Sequence, residues 1–301
     1  MRLALVIGLI LLVAAPAQDG SRGILTRPAP AADRRVAYGD RPLQFGDLRL
    51  PKGAGPHPVA VVIHGGCWLA EYDLAHVGNL SHALARSGVA TWSLEYGRVG
   101  DADGGWPGTF RDVARGVDHL RALARNHPLD LNRVVVIGHS AGGHLALWVA
   151  ARHRLPKESA LYSDAPLPLR GVVALAPIPD LRQAVPGCDD AATKLIGGTP
   201  ADQPARYRQG SPSDWLPLGV AQWIIHGERD RIVPVKLASE YAAAAQKSGD
   251  EVQLRVLAET GHFELIDPES AAWPTVMEAV GSLLKPTAPG GRSQEDYSGR
   301  R

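Results

Sequence analysis

The chain has 301 residues, a formal net charge of +1 and 45% hydrophobic residues. This length and composition suit one large α/β domain or two small ones with a sizeable core. Basic and acidic residues nearly balance and form no basic block or stripe, so nucleic acid is not an expected partner.

The N-terminus has the layout of a cleavable secretory signal. Met1 and Arg2 provide positive charge, residues 3–15 are an apolar run, and residues 15–17 read Ala-Pro-Ala, a small-residue cleavage pattern. The run is shorter than the ~20 residues of a transmembrane helix, although an uncleaved anchor is the alternative interpretation. We therefore predict that residues 1–17 are removed and that the mature protein is secreted or periplasmic, without a stable membrane span.

Composition divides the rest of the chain into three parts. Residues 18–35 mix Gly, Pro, Ala and charge without periodicity, so we expect a flexible lead-in. Residues 287–301 have the same character, and we expect a disordered tail. Between them, residues 36–286 are predicted to form one domain without internal repeats.

Within this domain, apolar β-rich runs alternate with helical patterns. The runs are mostly continuous, which is typical of strands buried on both faces of a parallel sheet. The alternation predicts a doubly wound α/β sheet with helices on both faces. We predict strands at 58–64, 89–96, 133–138, 171–176, 222–227 and 252–258, and helices at 74–87, 107–126, 141–153, 235–248 and 268–284.

The first strong strand ends in the sequence His-Gly-Gly-Cys-Trp at residues 64–68. Acyl transfer needs N–H donors fixed where a tetrahedral oxygen will form, and glycines allow a backbone to turn its amides inward. Gly65 and Gly66 therefore predict an oxyanion loop, with amide donors at Gly66 and Cys67. A plain Gly-Gly turn is the alternative. Trp68 could face a substrate or could simply pack against the core.

A second tryptophan-containing loop, residues 101–106, resembles part of a calcium-binding loop. The glycine expected at its sixth position is Trp106, and the glutamate expected at its twelfth is Asp112. We therefore expect no metal at this loop. Trp106, like Trp68, could face a substrate or could simply pack against the core.

Residues 138–142 read Gly-His-Ser-Ala-Gly between a β-branched strand and a helix. Such a corner exposes the hydroxyl of Ser140 at the top of the sheet, and the flanking glycines permit close approach of the backbone. The amide of Ala141 and the helix N-terminus would face a developing oxyanion. The alternative is that Ser140 only caps the helix.

Residues 177–218 break the alternation of strands and helices. The stretch is rich in Pro, Gly, Asp and Arg and has only a short helical pattern near 191–195. Irregular segments of this length are usually functional, and this one begins at a strand end, where ligands bind in open α/β sheets. We predict a small lid or cap.

A serine nucleophile needs a base and a group that orients the base. In sheets of this topology the chain order is serine, acid, histidine, which selects His262 over His139 and His144, the histidines closest to the serine in sequence. We assign Asp230 as the acid, with Glu228 as the runner-up. A surface-loop histidine and an aspartate paired with neighbouring arginines are the alternatives.

The two cysteines, Cys67 and Cys188, lie far apart in sequence. In an oxidising compartment an even pair can form a disulfide, but sequence alone does not show that the two side chains meet. Two buried free thiols are the other interpretation.

Four motifs together resemble the α/β-hydrolase superfamily: HGGCW, GHSAGG, HGERDRIVP and GHFELIDP. The similarity spans about residues 38–285 and is closest to the esterase/lipase branch, the BD-FAE and kynurenine formamidase-like proteins. It implies a metal-free and cofactor-free serine hydrolase with a Ser140–Asp230–His262 triad. Cys67 departs from the glycine or aromatic residue of many relatives.

The expected function is hydrolysis of small to medium carboxylic esters through an acyl-serine intermediate. An arylformamidase or peptidase-type amide hydrolase on the same triad is one alternative. A non-catalytic binding protein of the same fold is another, and the complete set of catalytic residue types argues against it.

Overall fold

The computed structural model describes residues 22–285, which build one eight-stranded sheet. In chain order its strands are β1 (Arg34–Ala37), β2 (Phe45–Arg49), β3 (His57–Ile63), β4 (Ala90–Leu94), β5 (Leu129–His139), β6 (Gly171–Leu175), β7 (Ala221–Gly227) and β8 (Val252–Leu257). Their order across the sheet is β1-β2-β4-β3-β5-β6-β7-β8. The β1–β2 and β2–β4 pairs are antiparallel and the others are parallel. The carboxyl ends of the parallel strands therefore meet at one edge, where the predicted site residues follow them.

Nine helices accompany the strands in the described part of the chain. They are α1 (Gly23–Thr26), α2 (Gly78–Arg86), α3 (Gly108–Asp118), α4 (Leu120–Leu123), α5 (Ala141–Ala151), α6 (Ala191–Ile196), α7 (Pro204–Gly210), α8 (Val235–Lys247) and α9 (Trp273–Leu283). Short 3₁₀ turns join several of them.

The sheet separates two hydrophobic cores. On β3, Val59, Val61 and Ile63 face the core that also contains buried residues of α3, α5 and α8. Ala60 and Val62 face the opposite core, shared with α2 and α9. Because successive strand side chains point to opposite faces, a strand buried on both sides reads as a continuous apolar run. The predicted doubly wound sheet, an α/β-hydrolase fold, is confirmed.

The six predicted strands are confirmed, and two further strands, β1 and β2, were not predicted. β1 reads Arg-Arg-Val-Ala and is mostly exposed, and β2 carries Asp47 and Arg49. An edge strand of this kind is held by backbone pairing and by ion pairs such as that of Arg35 with Asp47 at 2.8 Å, rather than by an apolar run.

The flexible lead-in predicted at 18–35 differs from the structure in its described part, residues 22–35. Ile24 is only 2% exposed and belongs to the core beside α2 and α9. Arg27 forms a salt bridge with Asp267 at 3.0 Å, and β1 begins at Arg34. The domain thus begins before residue 36, because one apolar side chain and one arginine anchor a segment without periodicity.

Residues 177–218, called the cap segment below, contain α6, α7 and a 3₁₀ turn. Leu195, Ile196 and Tyr207 of this segment are buried in the core on the side of α5. The cap segment therefore packs against the domain through its own apolar residues.

The predicted signal at 1–17 and the predicted tail at 287–301 lie outside the described residues. Within residues 22–285, no helix has the length and apolar character that crossing a membrane requires.

Candidate active site

Ser140 lies at the corner between β5 and α5. Its backbone has φ 56° and ψ −120°, a conformation that L-residues rarely adopt. The Ser140 amide donates to the carbonyl of Leu175 at 2.8 Å, and the residue is 2% exposed. Strained backbone of this kind clusters at functional sites, because the surrounding structure must hold it in place.

The glycines around Ser140 are required by close backbone contacts. A Cβ on Gly138 would lie 2.1 Å from the carbonyl oxygen of Gly142. A Cβ on Gly142 would lie 2.2 Å from the carbonyl oxygen of Ile63 and 2.4 Å from that of His64. Gly142 thus lets α5 approach the end of β3, which brings the serine corner beside the oxyanion loop, residues 64–68.

The oxyanion loop turns sharply through three successive residues with positive φ. Gly66, Cys67 and Trp68 have φ values of 100°, 50° and 59°. The amide of Leu69 closes this turn on the carbonyl of Gly66 at 2.9 Å. Ala141, the first residue of α5, has no intrahelical partner for its amide, as expected for a first helical turn. The loop and the helix start are the sequence-predicted sources of oxyanion donors.

A buried polar cluster supports the oxyanion loop from below. His64 Nε2 donates to Glu95 at 3.0 Å, and the hydroxyl of Tyr96 donates to the carbonyl of His64 at 2.9 Å. Burial alone would raise the pKa of Glu95, but the contacts with His64 and Arg98 outweigh it and lower that pKa. Glu95 therefore remains charged and fixes the histidine at the head of the loop.

Trp68 packs inside the protein in this structure, as in the second of the two interpretations that its sequence position allows. The indole is 1% exposed, and its Nε1 donates to Nδ1 of His144 at 3.2 Å. His144 Nε2 donates in turn to the carbonyl of Gly210 in the cap segment at 2.7 Å. Burial lowers the pKa of His144 to about 4, so the ring stays neutral and can accept from Trp68. The oxyanion loop, α5 and the cap segment are joined through this one imidazole.

Trp106 also has packing neighbours. Its ring is half-buried, 5.4 Å from that of Phe110, and Arg206 lies over it at 6.0 Å. In the adjoining loop, Asp101 pairs with Arg98 and Asp103 with Arg41. The described residues contain no cluster of His, Cys, Asp and Glu that could hold a metal ion.

His262 and Asp230 meet at the carboxyl ends of β7 and β8. Nδ1 of His262 donates to Oδ2 of Asp230 at 2.6 Å, and both side chains are buried. Burial would raise the pKa of Asp230, but hydrogen bonds from His226 and His262 outweigh it and hold that pKa well below its usual range. An ionised Asp230 can orient the imidazole in this position, which leaves its Nε2 available for proton transfer.

The structure distinguishes between the two carboxylates considered for the acid. Glu228 is exposed, whereas Oδ1 of Asp230 accepts from the amides of Ile232 and Val233 at 2.8 and 2.9 Å. Arg229 pairs with Glu259 and not with Asp230. The carboxylate in contact with His262 is thus the predicted one.

Three buried histidines around this pair were not predicted to take part in the site. His139 Nε2 donates to the carbonyl of His262 at 3.0 Å, and His76 Nε2 donates to Nδ1 of His139 at 2.8 Å. Burial lowers the pKa of both His76 and His139 well below the usual value, so both rings are neutral, and His139 can accept from His76 while it donates to His262. His226 Nε2 lies 2.9 Å from the carbonyl of Val233 and 3.3 Å from Asp230. The only sequence signal for these roles is that His139 lies within the GHSAGG motif and that His226 is the first residue of the HGERDRIVP motif.

Cys67 and Cys188 are joined by a disulfide, with their Cα atoms 5.4 Å apart. The bond connects the oxyanion loop to the cap segment. The two cysteines are therefore bonded to each other and are not two buried free thiols.

Fold and site together define an α/β-hydrolase: a doubly wound sheet with a strained serine corner, a glycine-rich loop and an Asp–His pair at one edge. The sequence profile of the family described as BD-FAE matches residues 47–244. The chain belongs to the BD-FAE family.

The chain is similar to proteins described as esterases. Esterase LipC of Mycobacterium tuberculosis is 28% identical over 248 residues, which are 78% of this chain and 60% of LipC. The chain thus spans less than two thirds of the length of that relative.

Two solved structures share the fold. One is a truncated form of a carbohydrate esterase from gut microbiota, with a TM-score of 0.72 and 19% identity, covering 83% of this chain and 94% of that one. The other is Thermogutta terrifontis esterase 2 phosphonylated by sarin, with a TM-score of 0.70 and 18% identity, covering 86% and 96%.

Proposed function

We propose that this protein is a serine hydrolase of small to medium carboxylic esters, with Ser140 as nucleophile, His262 as base and Asp230 as the orienting acid. The observation that carries the proposal is the 2.6 Å contact of His262 with an ionised Asp230 at the same sheet edge as the strained Ser140 corner. A fold that only binds a ligand has no need to hold a buried carboxylate charged against an imidazole.

The first half of the reaction follows from these positions. Nε2 of His262 accepts the proton of Ser140 as its hydroxyl oxygen attacks the ester carbonyl, and Asp230 stabilises the imidazolium that forms. The amides of Gly66, Cys67 and Ala141 donate to the oxyanion of the tetrahedral intermediate. Collapse of this intermediate breaks the ester bond, and His262 gives its proton to the departing alcohol.

The second half removes the acyl group from the serine. His262 takes a proton from water, which attacks the acyl carbon, and the oxyanion forms against the same amides. Collapse of the second intermediate releases the carboxylic acid and returns the proton to Ser140. No cofactor or metal takes part in either half.

The relatives support an ester substrate. LipC is described as an esterase, and the two structural neighbours are a carbohydrate esterase and an esterase phosphonylated by sarin. Arylformamide and peptide hydrolysis would use the same residues, so the scissile bond is tested separately below.

We also propose that the protein acts after export, as the apolar run near its N-terminus led us to expect. The Cys67–Cys188 disulfide supports this proposal, because such bonds form and persist in oxidising compartments.

Labelling with a fluorophosphonate tests the nucleophile. The wild-type protein should react covalently and lose its activity, whereas Ser140→Ala should not be labelled. A matched control is Ser282→Ala on α9, far along the chain from the serine corner, which should be labelled as the wild type is. Absence of labelling in the wild type, or labelling that persists in Ser140→Ala, would contradict the proposal.

A substrate panel tests the scissile bond. p-Nitrophenyl esters of graded chain length should be hydrolysed with the highest kcat/KM among the short to medium acyl groups. An N-formyl aryl amine and a short peptide amide should be poorer substrates. If the formamide were preferred, the function would be that of an arylformamidase on the same triad.

A further inference from the structure

The disulfide occupies a particular place in the candidate active site. Cys67 lies in the oxyanion loop, and its own amide is one of the proposed oxyanion donors. Cys188 is a buried residue of the cap segment, just before α6. A covalent bond thus ends at the residue that would contact the reacting oxygen.

The backbone around Cys67 needs an external restraint. Cys67 and Trp68 have φ values of 50° and 59°, in the left-handed region that non-glycine residues adopt only where the structure holds them. The indole of Trp68 has its restraint in the hydrogen bond to His144. For Cys67, the corresponding connection between side chain and cap segment is the disulfide.

The other end of the bond is anchored to the loop that carries Asp230. The amide of Gly187 donates to the carbonyl of Ile232 at 3.3 Å, and a Cβ on Gly187 would lie 2.4 Å from Cγ2 of Ile232. The amide of Ile232 donates to Oδ1 of Asp230 at 2.8 Å. A continuous path runs from the oxyanion loop through Cys188 and Ile232 to the acid.

From this path we infer that Cys188 is a positioning residue: through its bond to Cys67 and the contact of Gly187 with Ile232, it holds the oxyanion amides and Asp230 in one fixed arrangement. The inference rests on the proposed ester hydrolysis and adds to it a residue that touches no reacting atom. The covalent attachment of the cap segment at Cys188 is then part of the catalytic framework, and an intact disulfide is a condition of full activity.

Reduction of the bond is the direct test. Dithiothreitol supplies two electrons and two protons, the S–S bond breaks to give the thiols of Cys67 and Cys188, and the reductant becomes a cyclic disulfide. Loss of one oxyanion donor lowers kcat by on the order of 10²–10³-fold in serine hydrolases. Because a loosened loop still samples the correct arrangement, we expect kcat to fall about 10- to 100-fold, with KM changing less than about twofold.

The experiment uses the full chain, purified oxidised and checked by thiol counting under denaturing conditions. Its kcat and KM for p-nitrophenyl acetate are measured before reduction, after reduction and after reoxidation. Cys188→Ser should have the low kcat of the reduced wild type and should not respond to dithiothreitol. Ala192→Ser, a substitution in α6 that retains both cysteines, should match the wild type in kcat and in its response to reduction.

Hydrogen–deuterium exchange gives a second readout that does not depend on turnover. Peptides covering residues 64–70 and 230–234 should exchange faster after reduction, whereas peptides from α2 should not change. This measurement on the folded wild type also decides the matter if Cys188→Ser fails to fold.

Three results would overturn the inference. The first is a kcat of the reduced protein equal to that of the oxidised protein. The second is unchanged hydrogen–deuterium exchange of residues 64–70 and 230–234 after reduction. The third is a lower Tm with unchanged kcat well below that Tm, which would make the bond a stabilising feature only. If the oxidised protein hydrolyses no ester at all, the proposed function fails, and the exchange data alone then decide whether the bond positions the two loops.

Discussion

At the scale of single residues, Asp230 is held so that only one of its oxygens faces His262. Oδ1 accepts from two backbone amides, and Oδ2 accepts from Nδ1 of His262. This arrangement fixes which ring nitrogen of His262 carries a proton, and therefore leaves Nε2 as the basic one. The exposed Glu228, two residues earlier, makes neither the contacts with these backbone amides nor the contact with His262.

Replacement of the acid should therefore affect catalysis strongly. In Asp230→Asn the negative charge is lost and the amide group can present N–H to His262, which favours the wrong tautomer. We expect kcat for a p-nitrophenyl ester to fall about 10³–10⁴-fold, with a small change in KM.

Glu228→Gln is the matched control for this substitution, because it removes a charge from the same loop. Its kcat should stay within about twofold of the wild type, since an exposed side chain without contact to the base contributes little. A larger loss in Glu228→Gln than in Asp230→Asn would reverse the assignment of the acid.

The sequence predicts the three residues of the proposed triad but not the residues that surround them. Ser140, Asp230 and His262 follow strand ends, and chain order distinguishes them from other serines, acids and histidines. His76 and His139 contact His262 through a chain of hydrogen bonds that only the folded chain creates. The sequence also could not decide between the two interpretations of Trp68, because its partner His144 belongs to another element.

At the scale of elements, α5 is the helix on which the site depends. All of its residues are buried, and it begins directly after Ser140. Its second residue, Gly142, contacts the end of β3, the strand that leads into the oxyanion loop. The distance between the proposed nucleophile and the proposed oxyanion donors is therefore set by how closely this helix approaches that strand.

A side chain at Gly142 should disrupt this approach. In Gly142→Ala the new Cβ would meet backbone oxygens at 2.2 and 2.4 Å, which side-chain rotation cannot relieve. We expect the free energy of unfolding to fall by about 1–3 kcal/mol, as for overpacked cores, and kcat to fall at least tenfold. Urea unfolding and ester hydrolysis measure the two effects.

Gly281→Ala provides the control within another helix. Gly281 lies in α9, and a Cβ there has no heavy atom within 4 Å. This substitution should stabilise the protein by about 0.5–1 kcal/mol through helix propensity and leave kcat unchanged. If both alanine variants behaved alike, the close contact of α5 with β3 would not control the site.

The same scale explains which parts of the fold could be predicted. Strands β3, β4, β6 and β7 and the second half of β5 are recognisable because both of their faces are buried, whereas β8 is a partly exposed edge strand. β1 and β2 carry charges that pair with each other at 2.8 Å, so they lack an apolar pattern. The cap segment forms two short helices within a Pro- and Gly-rich stretch, and its attachment through Cys188 depends on a contact distant in sequence.

At the scale of the whole molecule, several histidines are buried without charge. Burial lowers the pKa of His76 and His139 well below the usual value and that of His144 to about 4. In the unfolded chain these groups titrate near pH 6.5. Between pH 6.5 and about 4 the unfolded chain binds more protons than the native protein, so stability must decrease as the pH falls through this range.

The contribution of His144 to this decrease can be isolated. It should amount to about 1.4 kcal/mol for each pH unit below 6.5, or about 3 kcal/mol at pH 4.5. In His144→Gln the titrating group is gone, so the free energy of unfolding from urea titrations should vary less steeply with pH. The difference in slope should correspond to one fewer proton bound on unfolding. The variant should also be less stable than the wild type near pH 7.5, because the substitution weakens the hydrogen bonds to Trp68 and Gly210.

His144→Gln removes both a hydrogen-bonding group and a titrating group, and Trp148→Phe serves as a control that removes only a hydrogen bond. Trp148 lies one helical turn beyond His144 on α5 and donates to the carbonyl of Gln209 at 3.0 Å, so this variant also loses a bond to the cap segment. Its unfolding free energy should be lower at every pH, with the same slope as the wild type, because it removes no titrating group. Parallel curves for His144→Gln and the wild type would mean that His144 is not a source of the acid sensitivity. A shallower curve for His144→Gln alone would assign that sensitivity to the imidazole joining the oxyanion loop to the cap segment.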